Sequence, residues 1–274
     1  MGKSPAAISD EDLETLSQAC LHLEHPSLAA RLTSVIGTPI EIGIKLLPRS
    51  LYLKTRQVAD TAISKALQTA VSSLRHKTEP DSHDHFYRLL AGGTGAVGGL
   101  FGMYSLPFEF GISTTIMLRS IAEIARHEGE DIHDPEVQLS CLEVFALGGT
   151  SEADDAADTG YYGIRLALAW PVTHAAHYIS RHGLGAEGAP LLASLVSSIG
   201  SRFNVAVTQK MAAQMVPLIG AAGAAVINVI FMNHFQEMAH GHFSIRRLER
   251  KYGKQRVQTR YEAICREQAV HSQR

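Results

Sequence analysis

Two long uncharged stretches, rich in glycine and alanine, constrain the fold of this 274-residue chain more than any other feature. One runs from Leu89 to Phe108 and the other from Met211 to Met232, which gives 20 and 22 residues without a charge. Such lengths are sufficient to cross a bilayer core of about 30 Å. Both stretches contain proline and polar side chains, however, and small residues let helix backbones approach closely. We therefore predict close-packed core helices, with membrane insertion as the alternative.

The remaining sequence has the periodicity of α-helices. Apolar residues recur at helical spacing in residues 10–25, 49–75, 108–127, 135–147 and 191–215, and a last helix continues from the second uncharged stretch toward residue 253. Residues 28–47 contain Gly37, Pro39 and Gly43 and are predicted to form a broken helical hairpin. No useful stretch alternates with period two, and there is no Asn-Gly or Asp-Gly hairpin turn. The sequence predicts an all-α fold, a single multi-helix domain with both uncharged stretches at its core.

Charge is unevenly distributed along the chain. Residues 109–158 contain twelve acids and two bases, a net charge of -10, whereas residues 242–260 contain seven bases and one acid, a net charge of +6. These regions either face each other or the basic one faces an anionic surface. In the second case the side chains that bind lipid or a partner would be Arg246, Arg247, Arg250 and Lys251. The overall net charge of -2 gives no reason to expect nucleic-acid binding.

Cysteine content and the N-terminus point to the cytoplasm. Cys20, Cys141 and Cys265 are widely spaced and odd in number, so no disulfide framework or zinc knuckle is expected. The first residues, MGKSPAAISDEDLETL, lack the apolar core of a signal peptide.

One predicted core helix carries the candidate catalytic residues. Glu109 lies between apolar residues, and Arg119 and Glu123 follow on the same helix, one turn apart from each other. A buried carboxylate is costly unless it is paired. An internal ion pair of Glu109 with Arg119, Arg165 or Arg202 is therefore favoured over a catalytic role.

Histidines and a glutamate near the second uncharged stretch are candidate metal ligands. His234, Glu237 and His240 are spaced by three residues, and His127 could join them from another helix. Two ligands six residues apart do not share one helical face, so this spacing is poorer than H-E-x-x-H. No cofactor is predicted, and a divalent metal is kept as the alternative. Residues 93–98 spell G-x-G-x-x-G, but no strand precedes them, which argues against dinucleotide binding.

The C-terminal half contains a distinctive progression of small, aromatic and charged residues. It comprises Pro217, Gly220, Ala221, Gly223, Ala224, Asn228 and Phe231, followed by His242, Phe243, Arg246, Leu248 and Glu249. The segments Leu118–Ala125, Val144–Gly149 and Tyr161–Arg165 add to the pattern, and together they resemble the EcsC family. The resemblance covers about residues 30–253 and leaves an N-terminal helix and tail (1–29) and a basic C-terminal tail (254–274). The family is named for a protein linked to a transporter system, so the resemblance implies a membrane-proximal role but no particular activity.

Residues and resemblance together favour a non-enzymatic helical protein that associates with a membrane or contacts lipid and supports a transport or secretion system. We expect it in the cytoplasm, peripheral to the inner membrane or partly inserted in it, with a membrane surface or a membrane protein as its partner. The alternative function is a metal-dependent hydrolase or metal-binding protein that uses the glutamates and histidines of the helical core.

Overall fold

The computed structural model describes residues 7–24, 28–73, 106–149, 160–182, 190–215 and 220–272, with side chains for all of them except 71–73, 106–109, 220–222 and 272. Within these residues every regular element is an α-helix, which confirms the predicted all-α domain. The ten helices in the described ranges are α1 (Asp10–Glu24), α2 (Leu28–Ile36), α3 (Ile40–Leu46), α4 (Arg49–Ser73), α5 (Leu106–His127), α6 (Pro135–Leu147), α7 (Tyr161–His182), α8 (Pro190–Gln214), α9 (Gly220–Tyr252) and α10 (Lys254–Ser272).

Helix boundaries follow the local signals in the sequence. The Ser9 hydroxyl accepts a hydrogen bond from the backbone N–H of Asp12, and Asp134 caps α6 by accepting one from the N–H of Glu136. The hairpin predicted for residues 28–47 is formed by α2 and α3, which are separated by a turn at Gly37 with φ of 70°. Glycine tolerates this left-handed conformation, which other residues rarely adopt.

The second uncharged stretch does not form one continuous helix. Helix α8 ends at Gln214 and α9 begins at Gly220, so Met211–Met232 is divided between two helices. Residues 89–105 of the first stretch lie outside the described residues.

Three helices form the centre of the packing. Helix α8 contacts α2, α3, α4, α6, α7 and α9, and the 33-residue α9 contacts α1, α2, α5, α6, α8 and α10. Between them lies α6, and Phe145 of α6 packs edge-to-face on Phe203 of α8 with ring centroids 5.1 Å apart. A Cβ added to Gly43 of α3 would lie 2.5 Å from the carbonyl oxygen of Ala212 in α8, so this contact requires glycine.

The two ends of the described chain meet. Helix α10 occupies most of the segment predicted as a basic tail, and it packs on α1 and α9. Cys265 of α10 forms a disulfide with Cys20 of α1 across 245 residues, while Cys141 is free and buried. The expectation of no disulfide is wrong for this pair, because sequence spacing does not reveal which distant helices become neighbours.

Candidate functional site

Helix α6 is buried on all sides and carries enclosed polar groups. Every residue of α6 from Val137 to Leu147 is buried, including Ser140 and Glu143. A buried carboxyl group is costly unless it is hydrogen-bonded or neutral, so Glu143 requires partners. It accepts a hydrogen bond from the Ser140 hydroxyl at 3.0 Å, and its Oε2 lies 3.9 Å from Nε2 of His242 in α9.

An ion pair between α7 and α9 lies next to this carboxyl group. Arg165 donates two parallel hydrogen bonds to Glu249, with Nη1–Oε1 at 2.9 Å and Nη2–Oε2 at 3.1 Å. The Tyr162 hydroxyl also donates to Glu249, at 3.0 Å. Tyr161 accepts from Nη1 of Arg165 at 3.2 Å, and its hydroxyl lies 3.1 Å from Nδ1 of His242. These residues, with Glu143, form what we call the buried polar network.

Burial shifts the pKa values of the carboxyl group and the imidazole in this network towards their neutral forms. Burial raises the pKa of Glu143, and burial together with the charge of Arg165 holds the pKa of His242 well below its usual value. A neutral carboxyl group beside a neutral imidazole resembles a general acid–base pair in composition. Glu143, Tyr161 and His242 are nevertheless all buried, so solvent does not reach them in this structure. We interpret the network as structural: its hydrogen bonds and ion pair hold α6, α7 and α9 together.

The four cations predicted to bind lipid or a partner, here called the basic cluster, are paired inside the protein. The pairs are Arg246 with Glu130, Arg250 with Glu130, Arg247 with Glu128 and Asp12, and Lys251 with Asp12. Hydrogen bonding from Lys251 is the main reason why the pKa of Asp12 lies far below its usual range. The acidic and basic regions of the sequence therefore face each other, and two of the three acids, Glu128 and Glu130, come from the acidic region.

The weak metal candidates are engaged elsewhere or exposed. His234 is buried, and its Nε2 lies 2.8 Å from the carbonyl oxygen of Gly148. Glu237 pairs with Arg31 at 2.7 Å, while His127 and His240 are exposed. In the described part of the chain, no group of three or more His, Cys, Asp or Glu residues has the arrangement of a metal site.

The catalytic candidates on α5 do not form an enclosed site among the described side chains. Arg119 is exposed to solvent, and Glu123 is half-buried one turn further along. The side chain of Glu109 lies outside the described residues. Arg165, which was one of its expected partners, is instead bound to Glu249.

The segment from the end of α2 through α3 to the start of α4 exposes apolar and basic side chains together, whereas the cations of the basic cluster are paired with acids. Ile42 and Leu46 are one turn apart on α3, and Arg49 and Leu53 are one turn apart on α4. The whole set, called the apolar–basic surface, consists of exposed Val35, Ile42, Leu46, Tyr52 and Leu53 together with exposed Lys45, Arg49 and Lys54. Residues 35–54 contain a single acid, Glu41. Within the described ranges no carboxylate pairs with the three cations of this surface.

Sequence reasoning missed the apolar–basic surface because it followed net charge toward the C-terminus. A signal was present in residues 40–54, where apolar residues occupy more than one face of α3 and of the first turns of α4. A helix of a soluble domain needs only one apolar stripe for its core. Buried Ile40, Gly43 and Leu47 already provide that stripe, so Ile42 and Leu46 are in excess.

Comparison with known proteins places this chain in a family. The model of the EcsC protein family matches residues 10–248. The match includes α1, so the family region begins earlier than residue 30, where the sequence resemblance begins. Comparisons with curated proteins and with solved structures gave no significant match. The chain belongs to the EcsC protein family.

Proposed function

We propose that this member of the EcsC family is a non-enzymatic protein that binds the surface of a membrane through its apolar–basic surface. We place it on the cytoplasmic side of the membrane, in support of a transport or secretion system. The observation that carries the proposal is the exposure of Ile42, Leu46 and Leu53 beside cations that lack acidic partners in the described structure. Apolar side chains flanked by lysine and arginine are typical of helices that lie in the plane of a membrane interface.

The size of this surface fits reversible surface binding. Ile42, Leu46 and Leu53 are 46%, 51% and 68% exposed. At 1.5–3 kcal/mol for full burial of each side chain, completing their burial in lipid contributes about 3 kcal/mol. Three cations near an anionic leaflet add about 1 kcal/mol each. Such a sum supports a peripheral protein and falls far below the energy of a transmembrane helix.

Insertion of a helix is a separate possibility that concerns α8. Of the described helices, α8 alone is long and apolar enough to span a bilayer, with a mean hydropathy of 1.3 over its best 18 residues, one third of which are buried. The mostly buried core helix of a soluble protein also meets this criterion; only a third of this stretch is buried, but α8 packs against α3, α4 and α6. We therefore assign α8 to the core and the membrane contact to the apolar–basic surface.

Vesicle co-sedimentation tests the proposal directly. Full-length protein is mixed with vesicles of phosphatidylcholine alone or with added phosphatidylserine, at low and at physiological salt. We expect binding to the anionic vesicles that weakens with salt, because exposed charges are screened. In the triple variant Ile42→Glu, Leu46→Glu, Leu53→Glu the partition coefficient should fall at least about a hundredfold, which corresponds to about 3 kcal/mol.

Two matched controls locate the contact. Leu166→Glu changes a leucine of α7 that is even more exposed, at 78%, and should leave binding unchanged. Arg250→Ala with Lys251→Ala removes half of the basic cluster and should also have little effect, because Glu130 and Asp12 already pair with these cations. The proposal is overturned if the wild type ignores both vesicle types, or if the controls lose binding as strongly as the triple variant. Protein that resists extraction from vesicles by alkaline carbonate would indicate insertion and contradict surface binding.

A further inference from the structure

The disulfide Cys20–Cys265 joins α10 to α1, alongside hydrogen bonds from Gln268 to Ser17 and from Tyr261 to Glu24. Helix α10 packs only against α1 and α9 among the pairs of helices with substantial contact in the described structure. Its buried apolar side chains are Val257, Tyr261 and Ile264, a single narrow strip. Most of its other residues are polar, and the free energy from burial scales with apolar area. The crosslink therefore adds to a narrow packing contact in keeping α10 on α1.

The connection at the other end of α10 is suited to a hinge. Gly253 separates α9 from α10 with φ of 89°, a conformation that other residues rarely adopt. No atom lies within 4 Å of the position a Cβ would take there, so the neighbouring structure leaves room around this glycine. A rotation at Gly253 would move α10 as a rigid unit once its far end is released.

Contacts beneath α10 lead to the buried polar network. The Tyr261 hydroxyl donates to Oε1 of Glu24 at 2.9 Å, and the same oxygen accepts the backbone N–H of Tyr161 at 3.2 Å. The ring of Tyr261 also packs against those of Tyr161 and Tyr162, with centroids 5.7 Å and 5.5 Å apart. Displacement of α10 would uncover this side of the network and the start of α7.

The two cysteines differ in burial, which favours attack at Cys265. Cys20 is fully buried, whereas Cys265 is half-buried. A groove of about 480 Å³ between α1 and α10 is lined by Ser17, Ile264 and Gln268, the last two close to Cys265 along α10. The third cysteine does not compete, because burial raises the pKa of the Cys141 thiol to about 12 and a thiol, unlike a thiolate, is a poor nucleophile.

We propose that Cys20–Cys265 is a redox-active site whose reduction by a dithiol protein of the thioredoxin class releases α10 from α1. This inference rests on the cytoplasmic location of the proposed function, because a disulfide that forms in the reducing cytoplasm is usually catalytic or redox-sensing and not structural. A thiolate of the reductant bonds to Sγ of Cys265, and Cys20 leaves as a thiolate that takes up a proton. The second thiol of the reductant then attacks the mixed disulfide and frees Cys265 as a thiol. Two electrons and two protons pass to the cysteine pair, and the reductant becomes a disulfide.

Hydrogen exchange of the full chain tests this proposal. Purified oxidised protein is compared with protein treated with dithiothreitol and, separately, with a reduced thioredoxin-type protein. Each sample is alkylated under denaturing conditions and analysed by mass spectrometry. One free thiol, that of Cys141, should be found before treatment with the reductant, and three should be found afterwards. Amide exchange in residues 254–272 should become at least about tenfold faster on reduction, because the helix then opens locally. Exchange in α6 should stay unchanged.

Two variants separate the crosslink from general effects of the reductant. Cys265→Ser should show fast exchange in α10 with or without reductant, and Cys141→Ser should behave as wild type. If Cys265→Ser does not fold, the comparison of oxidised with reduced wild type still decides. The proposal is overturned if all three cysteines are alkylated in the untreated protein, if the dithiol protein leaves the disulfide intact, or if reduction leaves the exchange of α10 unchanged.

Discussion

Removing the guanidinium of Arg165 is the sharpest test of whether the buried polar network is structural. Arg165→Met keeps most of the side-chain volume but deletes three hydrogen bonds, two to Glu249 and one to Tyr161. Arg165 and Glu249 are only 15% and 10% exposed, so water screens little of their interaction. Breaking a buried pair by removing one partner costs about 3–5 kcal/mol, because the remaining charge is left uncompensated.

The Tyr162 hydroxyl still donates to Glu249 after the substitution and reduces the penalty. We therefore expect Arg165→Met to lower the free energy of unfolding by about 3 kcal/mol at pH 7.

Guanidinium unfolding at pH 7, followed by circular dichroism, measures this loss. The matched control is Arg56→Met, which removes a partly exposed pair with Asp60 and two exposed hydrogen bonds to Ser197, and should cost about 1 kcal/mol. Arg165→Met that is no more destabilising at pH 7 than Arg56→Met would refute the structural role. So would a folded Arg165→Met protein of normal stability that no longer binds vesicles, since the network would then serve function and not packing.

Three further predictions concern other contacts. Burial lowers the pKa of His234 from 6.5 to about 4, so between these pH values the unfolded chain binds a proton that the folded chain does not bind. The free energy of unfolding should therefore fall by up to roughly 3 kcal/mol as pH drops from 7 to 4. His234→Gln should reduce this pH dependence in unfolding curves. Gly43→Ala should lower the free energy of unfolding by about 2 kcal/mol in thermal or urea unfolding, because its methyl group meets the Ala212 carbonyl. Asp12→Asn should cost about 2 kcal/mol in urea unfolding at pH 7. This cost should begin to shrink only below about pH 4 and should still be measurable at pH 3, because a carboxylate whose pKa is far below its unfolded value loses its stabilising effect gradually as pH falls through the folded pKa.

Features set by neighbouring residues could be predicted from the sequence. The caps at Ser9 and Asp134 and the turn at Gly37 depend on residues within a few positions, and the helices they bound lie where the periodicity placed them. Glu143 was counted among the acids of residues 109–158, but nothing local showed that α6 would be buried on every side. A nearly uniform apolar helix of 13 residues has no face that identifies its neighbours.

Side-chain partners in the candidate sites depend on contacts between distant helices. Arg246 meets Glu130 across 116 residues, and Lys251 meets Asp12 across 239. Periodicity gives the face on which a residue lies but not the helix that will cover it. The Cys20–Cys265 disulfide escaped prediction for the same reason.

The basic cluster shows that a run of basic residues must be compared with the acids elsewhere in the same chain before it is assigned to an external partner. Seven bases within residues 242–260 attract an anionic surface only if no acids of the same protein reach them first. An internal carboxylate is held at a fixed distance, whereas binding a membrane costs the freedom of the whole molecule, so the internal pair forms whenever the fold allows it. The acidic region of this chain is large enough to supply Glu128 and Glu130, and α1 adds Asp12. Three cations beside exposed leucine and isoleucine are therefore a better indicator of a membrane contact than a larger run in which four cations already pair with acids of the same protein.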